Sequence, residues 1–221
     1  MSTLKEYKDK FKKLKSYTTE QEKNTLLKNL EGNATSMEMI KSLGYDSLNE
    51  NEAHAMIFKL REISVSDIVD MTLTCENCDY QDIHIISIPN MFFQDDDFYD
   101  IDIGLFVDAS DLSDENIENI NIQEFDSLTD RIEENNRNIF NPEVEITCKK
   151  CGHKSTIAVT PGSIISKFDI KNIYEQYIDI TTFTNMTKAD VDSMFPFERE
   201  IFMGLIQQKE DDKEKKAKQG R

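Results

Sequence analysis

Two stretches of the chain repeat one pattern of hydrophobic and polar positions: an alternating run, a cysteine pair and a second run rich in apolar residues. The first covers residues 69–88 and ends at Pro89, and the second covers residues 143–159 and is followed by Pro161. Alternation with a period of two on both sides of a turn is typical of a β-hairpin. We therefore predict two hairpins of the same design, an internal repeat separated by a long insertion.

The turns of both predicted hairpins hold a Cys-x-x-Cys motif, and together they contain every cysteine of the chain. These are Cys75, Cys78, Cys148 and Cys151. A two-residue gap lets both sulfurs of a turn point to one side, so each turn offers half of a tetrahedral thiolate site. We predict that all four bind one structural zinc ion, which leaves no open coordination position for catalysis.

The same motifs permit other chemistry. A Cys-x-x-Cys motif can belong to a dithiol oxidoreductase, but the chain lacks a Trp-Cys-Gly-Pro-like context and has two matched copies. Disulfides form mainly in secreted proteins, and the first residues of the chain are not typical of a signal peptide. His153, two residues after Cys151, is a further candidate ligand in place of one thiolate.

The first predicted helix runs from Leu4 to about Ser16 and is rich in lysine. Its apolar residues recur at intervals of three and four and form a stripe. The stripe consists of Leu4, Tyr7, Phe11 and Leu14. Such a stripe can dock on a partner helix, or it can pack on the core of the chain itself.

Two more helices are predicted before the first hairpin. A short one over residues 36–43 should end at Gly44, which suits a C-terminal cap. The next, over residues 50–62, follows the N-cap candidate Asn49 and carries His54, which we place on the helix surface and not in a metal site.

The C-terminal region predicts a helix over residues 168–178, an N-cap at Thr187 and a new helix that begins at Pro196. The last helix has an apolar side that is a second candidate for partner contacts. Its residues are Phe197, Ile201, Phe202 and Leu205. The charged residues 209–221 are expected to fray into solvent.

The insertion between the hairpins changes the expected partner. Residues 90–142 contain fifteen acidic and two basic residues, a net charge of −13 within a total of −17. They predict a strand over 99–107, a helix from about Ser113 and another over 122–139. The acidic run at residues 95–97 lacks the ligand spacing of a calcium-binding loop. We therefore predict a solvent-exposed loop there and not a metal site. Because this charge would repel a phosphate backbone, nucleic acid is not the expected partner.

These elements predict an α+β fold: a small zinc-clamped β-hairpin core with flanking amphipathic helices and an acidic α/β insertion. We predict an N-terminal helical extension over residues 1–48, a zinc-knuckle core over 49–161 interrupted by the insertion 90–142, and C-terminal helices over 162–208. No run is long and apolar enough to span a bilayer, and no catalytic motif is recognisable. We expect a soluble, non-enzymatic protein.

Two further motifs carry a resemblance to a known family. The run Ile57-Phe58-Lys59-Leu60-Arg61-Glu62-Ile63-Ser64-Val65-Ser66 leads into the first hairpin, and Phe195-Pro196-Phe197-Glu198-Arg199-Glu200-Ile201-Phe202 begins the last helix. Both resemble segments of the baseplate hub proteins and hub-assembly chaperones of T4-like tailed bacteriophages. The resemblance covers roughly residues 49–159 and the last helices.

The resemblance implies a non-enzymatic role in assembling the baseplate hub of a contractile tail. It implies other hub proteins as partners and the cytoplasm of the infected host as the location, with possible retention in the virion. Two alternatives remain open. One is an acidic zinc-ribbon factor that binds a transcribing polymerase through protein contacts, and the other is a dithiol oxidoreductase.

Overall fold

The computed structural model describes residues 4–32, 34–47, 49–92, 122–165 and 170–219. Within these ranges the chain is an α+β protein of helices and two antiparallel hairpins. The helices are α1 (Leu4–Lys12), α2 (Thr19–Gly32), α3 (Ser36–Ser42), α4 (Glu50–Ser64), α5 (Ile122–Ile139), α6 (Pro161–Ile164), α7 (Ile170–Phe183), α8 (Lys188–Ser193) and α9 (Pro196–Gln219). The strands are β1 (Ile68–Thr74), β2 (Gln81–Ser87), β3 (Glu143–Thr147) and β4 (Lys154–Ala158).

Several predicted elements of the insertion lie outside the described residues. They are the strand over 99–107, the acidic run at 95–97 and the helix from about Ser113. The helix predicted over 122–139 is confirmed as α5.

Helix α3 shows how local sequence sets the ends of a helix. The Thr35 side chain accepts from the Glu38 N–H, and the Glu38 carboxylate accepts from the Thr35 N–H, which completes a capping box. At the other end Gly44 adopts a φ of +88°, and its N–H donates to the Lys41 carbonyl. The predicted stop at Gly44 is confirmed, because only glycine takes this conformation without strain.

Helix α4 is the centre of the larger core. Asn49 caps it by accepting from the Glu52 N–H at 3.0 Å, as predicted. Its buried side chains include Ala53, Met56, Ile57, Phe58 and Leu60. They pack with residues of α3, both hairpins and the α6 end. The segment predicted as an N-terminal extension therefore belongs to this core, since Tyr17 and Ile40 are buried in it.

Helix α1 is shorter than predicted, because it ends at Lys12 instead of Ser16. Phe11 is only 4% exposed and packs in the same core, with Leu14 half-buried against it. The stripe that includes these two residues thus packs on the chain itself at Phe11 and Leu14, which corrects their assignment as partner contacts. The side chains of Leu4 and Tyr7 are outside the described part of the structure.

A second, smaller core joins the C-terminal helices to α2. Its buried apolar residues are Ile173, Tyr177, Ile180, Val191, Met194 and Ile206. Thr187 caps α8 in a capping box with Asp190, and α9 begins at Pro196, as predicted in both cases. Leu26 of α2 is half-buried against both cores and so connects them.

The charged C-terminal segment is helical, which corrects the prediction that residues 209–221 fray. Helix α9 continues without a break to Gln219. Ion pairs at helical spacing support this half, Lys213 with Glu210 at 2.6 Å and Lys218 with Glu214 at 3.3 Å. Pairs of this kind stabilise an exposed helix by about 0.2–0.5 kcal/mol each.

Both hairpins alternate strictly between an inner and an outer face. In β1 and β2 the outer positions are exposed except for the half-buried Ser87, whereas Val69 and Ile86 of the inner face are buried. Strands β3 and β4 follow the same rule with half-buried inner residues such as Val144 and Ile157. The predicted hairpins are therefore confirmed, and each forms its own two-stranded sheet within the described residues.

Candidate metal centre

The two cysteine turns have the same backbone hydrogen bonds. In the first, the Cys75 N–H donates to the Tyr80 carbonyl and the Asp79 N–H donates to the Cys75 carbonyl, both at 2.9 Å. In the second, the Cys148 N–H donates to the His153 carbonyl and the Gly152 N–H donates to the Cys148 carbonyl, again both at 2.9 Å. The internal repeat predicted from the sequence is therefore present at the level of single hydrogen bonds.

The residue after the second cysteine of each turn has a left-handed backbone. Asp79 has φ +53° and Gly152 has φ +71°. Asp79 is the one non-glycine residue with a positive φ in the described part of the chain. Aspartate tolerates the left-handed region better than most residues. Both turns therefore adopt the same backbone conformation at this position, one with aspartate and the other with glycine. This conformation lets the chain reverse direction directly behind the cysteine pair.

The four sulfurs form one compact cluster, although the two motifs are far apart in sequence. The Sγ atoms of Cys75 and Cys151 lie 3.7 Å apart, as do those of Cys78 and Cys148, and all four lie within 4.8 Å of one another. A tetrahedron with metal–sulfur bonds of about 2.3 Å has sulfur–sulfur edges of about 3.8 Å. The cluster therefore has the size of a four-thiolate metal site.

A disulfide does not account for these distances. The sulfurs of a disulfide are about 2.05 Å apart, and all four cysteines are free. The closest pairs each join one hairpin to the other. The cluster thus brings the turns of the two hairpins together without a covalent bond between them.

Contacts around the sulfurs also connect the hairpins. The Lys149 Nζ lies 2.8 Å from the Asp82 carboxylate, which lowers the pKa of Asp82 and raises that of Lys149 through their hydrogen bond. The Asn77 side-chain amide lies 3.7 Å from the Cys151 sulfur. Inner-face residues of both sheets, among them Leu73 and Ile146, line one small cavity behind the cluster.

Two of the thiols, Cys78 and Cys151, have pKa values shifted in opposite directions. The backbone N–H of His153 and the amide of Asn77 lower the pKa of Cys151 to about 6. For Cys78 the Tyr80 N–H lowers the pKa, but desolvation and the neighbouring thiols outweigh it and raise the pKa to about 12. A cluster with one easily ionised thiol is suited to bind a cation, which releases the remaining protons.

Exposure differs across the cluster. Cys148 is buried, Cys75 and Cys78 are half-buried, and Cys151 is exposed. His153 is exposed as well. Its backbone carbonyl accepts a hydrogen bond within the turn, but its side chain is not part of the cluster of potential metal ligands. Within the described residues, the four cysteines are the one group of three or more potential ligands close enough to share an ion.

The predicted partner contacts on the last helix separate into two sets. Phe197, Ile201 and Leu205 are 40%, 57% and 50% exposed and lie four residues apart on one side of α9. Phe202 is half-buried and packs on the smaller core. We refer to Phe197, Ile201 and Leu205 as the α9 stripe.

Sequence reasoning missed a buried polar group that fixes this helix. Arg199 is fully buried and pairs with Glu22 at 2.8 Å. Its other nitrogens donate to Gln176 at 2.6 Å and to Thr19 at 3.0 Å. The only signal in the sequence is an arginine on the apolar side of a helix, which also fits an exposed, snorkelling side chain.

His54 is also more enclosed than predicted. It packs between the rings of Phe58 and Phe140, with ring centroids 5.2 and 5.4 Å away. Burial lowers its pKa. It therefore belongs to the core between α4 and the end of α5, and it is not a metal ligand in the described cluster.

Comparison with protein-family models, curated proteins and solved structures gives no significant match to the chain. Among the helices that the structure describes, none has both the length and the apolar character needed to cross a bilayer.

Proposed function

We propose that the chain is a non-enzymatic assembly protein whose two hairpins are clamped by one structural zinc ion. The observation that carries the proposal is the cluster of four sulfurs with cross-hairpin distances of 3.7 Å. Zinc favours four thiolates in a tetrahedron, and a site closed by four protein ligands has no position for substrate or water. The ion would stabilise the fold, and the function would then depend on surfaces.

The α9 stripe supports a binding role. Three large apolar side chains at intervals of four make a continuous ridge that an apolar groove or another helix can cover. On the neighbouring helix α7, Tyr174 and Ile178 are also exposed, at 45% and 63%. The net charge of −17 favours protein partners over nucleic acid.

We propose other proteins of a tailed-phage baseplate hub as the partners. This part of the proposal rests on the two resembling motifs around Ile57–Ser66 and Phe195–Phe202. Arg61 and Arg199, one in each motif, are both buried, so both motifs take part in the packing of the fold. Assembly would take place in the cytoplasm of the infected host.

The test is co-expression with hub subunits, followed by co-purification. We expect the wild-type chain to form a complex and the variant Ile201→Ser/Leu205→Ser to lose it. The control variant Leu30→Ser, which removes a leucine of α2 that is 69% exposed, should keep it. Disruption of the gene should block tail assembly. Normal tails without the gene, together with no complex under co-expression, would refute the hub role.

A second candidate function is a dithiol oxidoreductase, which the exposed Cys151 with a pKa of about 6 favours. Thiolate exchange requires an accessible, easily ionised sulfur near a second one, and Cys75 lies 3.7 Å away. The two candidates differ in their response to zinc. Insulin reduction by the zinc-free protein would support the oxidoreductase, whereas one tightly held zinc per chain and no reduction would support the structural site.

A further inference from the structure

The two hairpins differ in their outer faces. On β1 and β2 the outer positions are Ile68, Asp70, Thr72, Thr74, Gln81, Ile83, Ile85 and Ser87. Ile68, Ile83 and Ile85 are 44%, 58% and 73% exposed. We refer to these eight positions as the isoleucine face. On β3 and β4 the outer positions are Glu143, Glu145, Thr147, Lys154, Thr156 and Ala158, as expected for a sheet that meets water.

The isoleucine face has one charged residue, and it is acidic. Asp70 pairs across the strands with Ile85, so its carboxylate lies among the exposed isoleucines. No basic residue occurs at the eight outer positions. A partner that covers this face must place apolar side chains on the isoleucines and a cation near Asp70, because an uncompensated buried carboxylate would weaken the complex.

A cavity of about 300 Å³ opens beside this face. Its polar lining residues are Arg61, Ser66, Asp70, Ser163 and Glu200. The terminal nitrogens of Arg61 donate to the carbonyls of Ser66 and Ile68 at 2.6 and 3.3 Å. Its Nε is buried and has no acceptor among the described residues. Two of the lining residues, Asp70 and Glu200, are acidic, so the cavity beside the face favours a basic side chain of a bound segment.

We propose that the isoleucine face and this cavity bind an extended segment of a partner protein in which a lysine or arginine stands beside aliphatic residues. The aliphatic side chains cover Ile83 and Ile85, and the basic side chain reaches Asp70. This inference deepens the proposed assembly function and rests on it. It adds a surface separate from the α9 stripe and specifies the chemistry of the partner.

The experiment selects a displayed library of random peptides on the full-length, zinc-loaded chain. Enriched peptides should combine Lys or Arg with Ile, Leu or Val. Ile83→Thr/Ile85→Thr should weaken their binding more than about tenfold, because two aliphatic contacts are lost. Asp70→Asn should weaken it about two- to fivefold, and raised salt should remove that difference.

Three controls keep the outcomes distinct. Glu145→Gln makes the same charge change on the outer face of the other hairpin and should leave binding unchanged, as should Ile178→Thr on α7. Threonine is a good strand residue, and native mass spectrometry of each variant confirms that the fold and metal content are intact. Enriched peptides that are acidic, that ignore the two isoleucine substitutions, or that fail to appear would overturn the inference.

Failure of this inference is distinguishable from failure of the assembly role. If peptides bind but require Ile201 and Leu205, the chain is still a binding protein and the isoleucine face is not its docking site. If peptides bind the isoleucine face while no hub subunit co-purifies, the surface is confirmed and the proposed hub partners are wrong.

Discussion

The guanidinium of Arg199 and the carboxylate of Glu22 are 2.8 Å apart, and both side chains are at most 1% exposed. This ion pair joins the last long helix to α2, which lies almost the whole chain away in sequence. Gln176 and Thr19 take up two more of the arginine's donors. A buried charge with this many partners is satisfied only if α2, α7 and α9 meet in one arrangement.

Removal of one member of this pair is therefore expected to be severe. Arg199→Met should lower the free energy of unfolding by about 3–5 kcal/mol, because Glu22 would remain buried without the opposing guanidinium charge. The matched control is Arg137→Met on α5, which removes an exposed pair with Glu133 at 3.6 Å and should cost less than about 1 kcal/mol. Urea denaturation measures both. Equal effects would show that burial of Arg199 is not what makes it important.

Metal removal should have a larger effect than any single substitution. Structural zinc contributes about 10–16 kcal/mol in small domains, against a net stability of about 5–15 kcal/mol for a typical domain. We expect native mass spectrometry to find one zinc per chain and chelation to expose the amides of β1–β4 to hydrogen exchange. Added zinc should restore protection, whereas magnesium, which prefers oxygen ligands, should not. A folded chain without metal would contradict the central claim.

The left-handed residues of the two cysteine turns predict different effects for three substitutions that add or remove a glycine. Gly152→Ala should destabilise the protein by about 1–2 kcal/mol, because alanine resists the left-handed region, even though a Cβ there meets no atom within 4 Å. Asp79→Gly should be close to neutral, since glycine suits that conformation. The control is Gly204→Ala inside α9, where a Cβ is also free of contacts and alanine should stabilise by about 0.5–1 kcal/mol.

Thermal melts of these three variants decide the point. If Gly152→Ala and Gly204→Ala shift the melting temperature in the same direction, then the backbone conformation of the second turn does not limit stability. Gly152→Asn tests whether the left-handed backbone is the cause. Asparagine enters the left-handed region more easily than alanine, so this variant should lose less stability than Gly152→Ala.

The half-buried His54 predicts a contribution to the pH dependence of stability. Its pKa is lowered from the ordinary value of 6.5 by burial, so below that pH the unfolded chain binds a proton that the folded chain resists. The stability associated with the neutral imidazole is therefore complete above about pH 6.5 and falls as the pH drops toward the folded pKa.

His54→Gln should flatten the decline in stability between neutral and mildly acidic pH. Protonation of the thiolates weakens metal binding in both proteins, so the measurement is the difference between their stability curves and not either slope alone. Identical slopes for wild type and variant would show that His54 titrates alike in the folded and unfolded chain.

Local rules in the sequence predicted much of this structure. The caps at Asn49 and Thr187, the stop at Gly44 and the start at Pro196 are all as expected, because each depends on a few neighbouring atoms. The four metal-ligand candidates came from spacing and from the similarity of the two turns. The convergence of those turns could not follow from spacing alone, since it depends on how the two sheets pack.

The errors have a common physical cause. Phe11 looked available to a partner because a helical stripe does not reveal what it faces, and here it faces the core built on α4. Arg199 was not singled out as a buried residue, because its partner Glu22 is on a distant helix. The charged end of α9 looked unstructured from its composition, but its acidic and basic residues are spaced to pair along a helix.

Met91 and Asn141 lie close to the two ends of the acidic insertion, and the Asn141 N–H donates to the Met91 carbonyl at 2.8 Å. Beside them Phe92 and Phe140 form a β-bridge with ring centroids 5.0 Å apart. The ends of the acidic insertion are therefore fixed next to each other, whatever its length. Doubling the length of a flexible loop between fixed ends costs only about 0.6 kcal/mol. This point in the fold can accept sequences of very different length and charge while the cluster of four cysteines keeps its geometry.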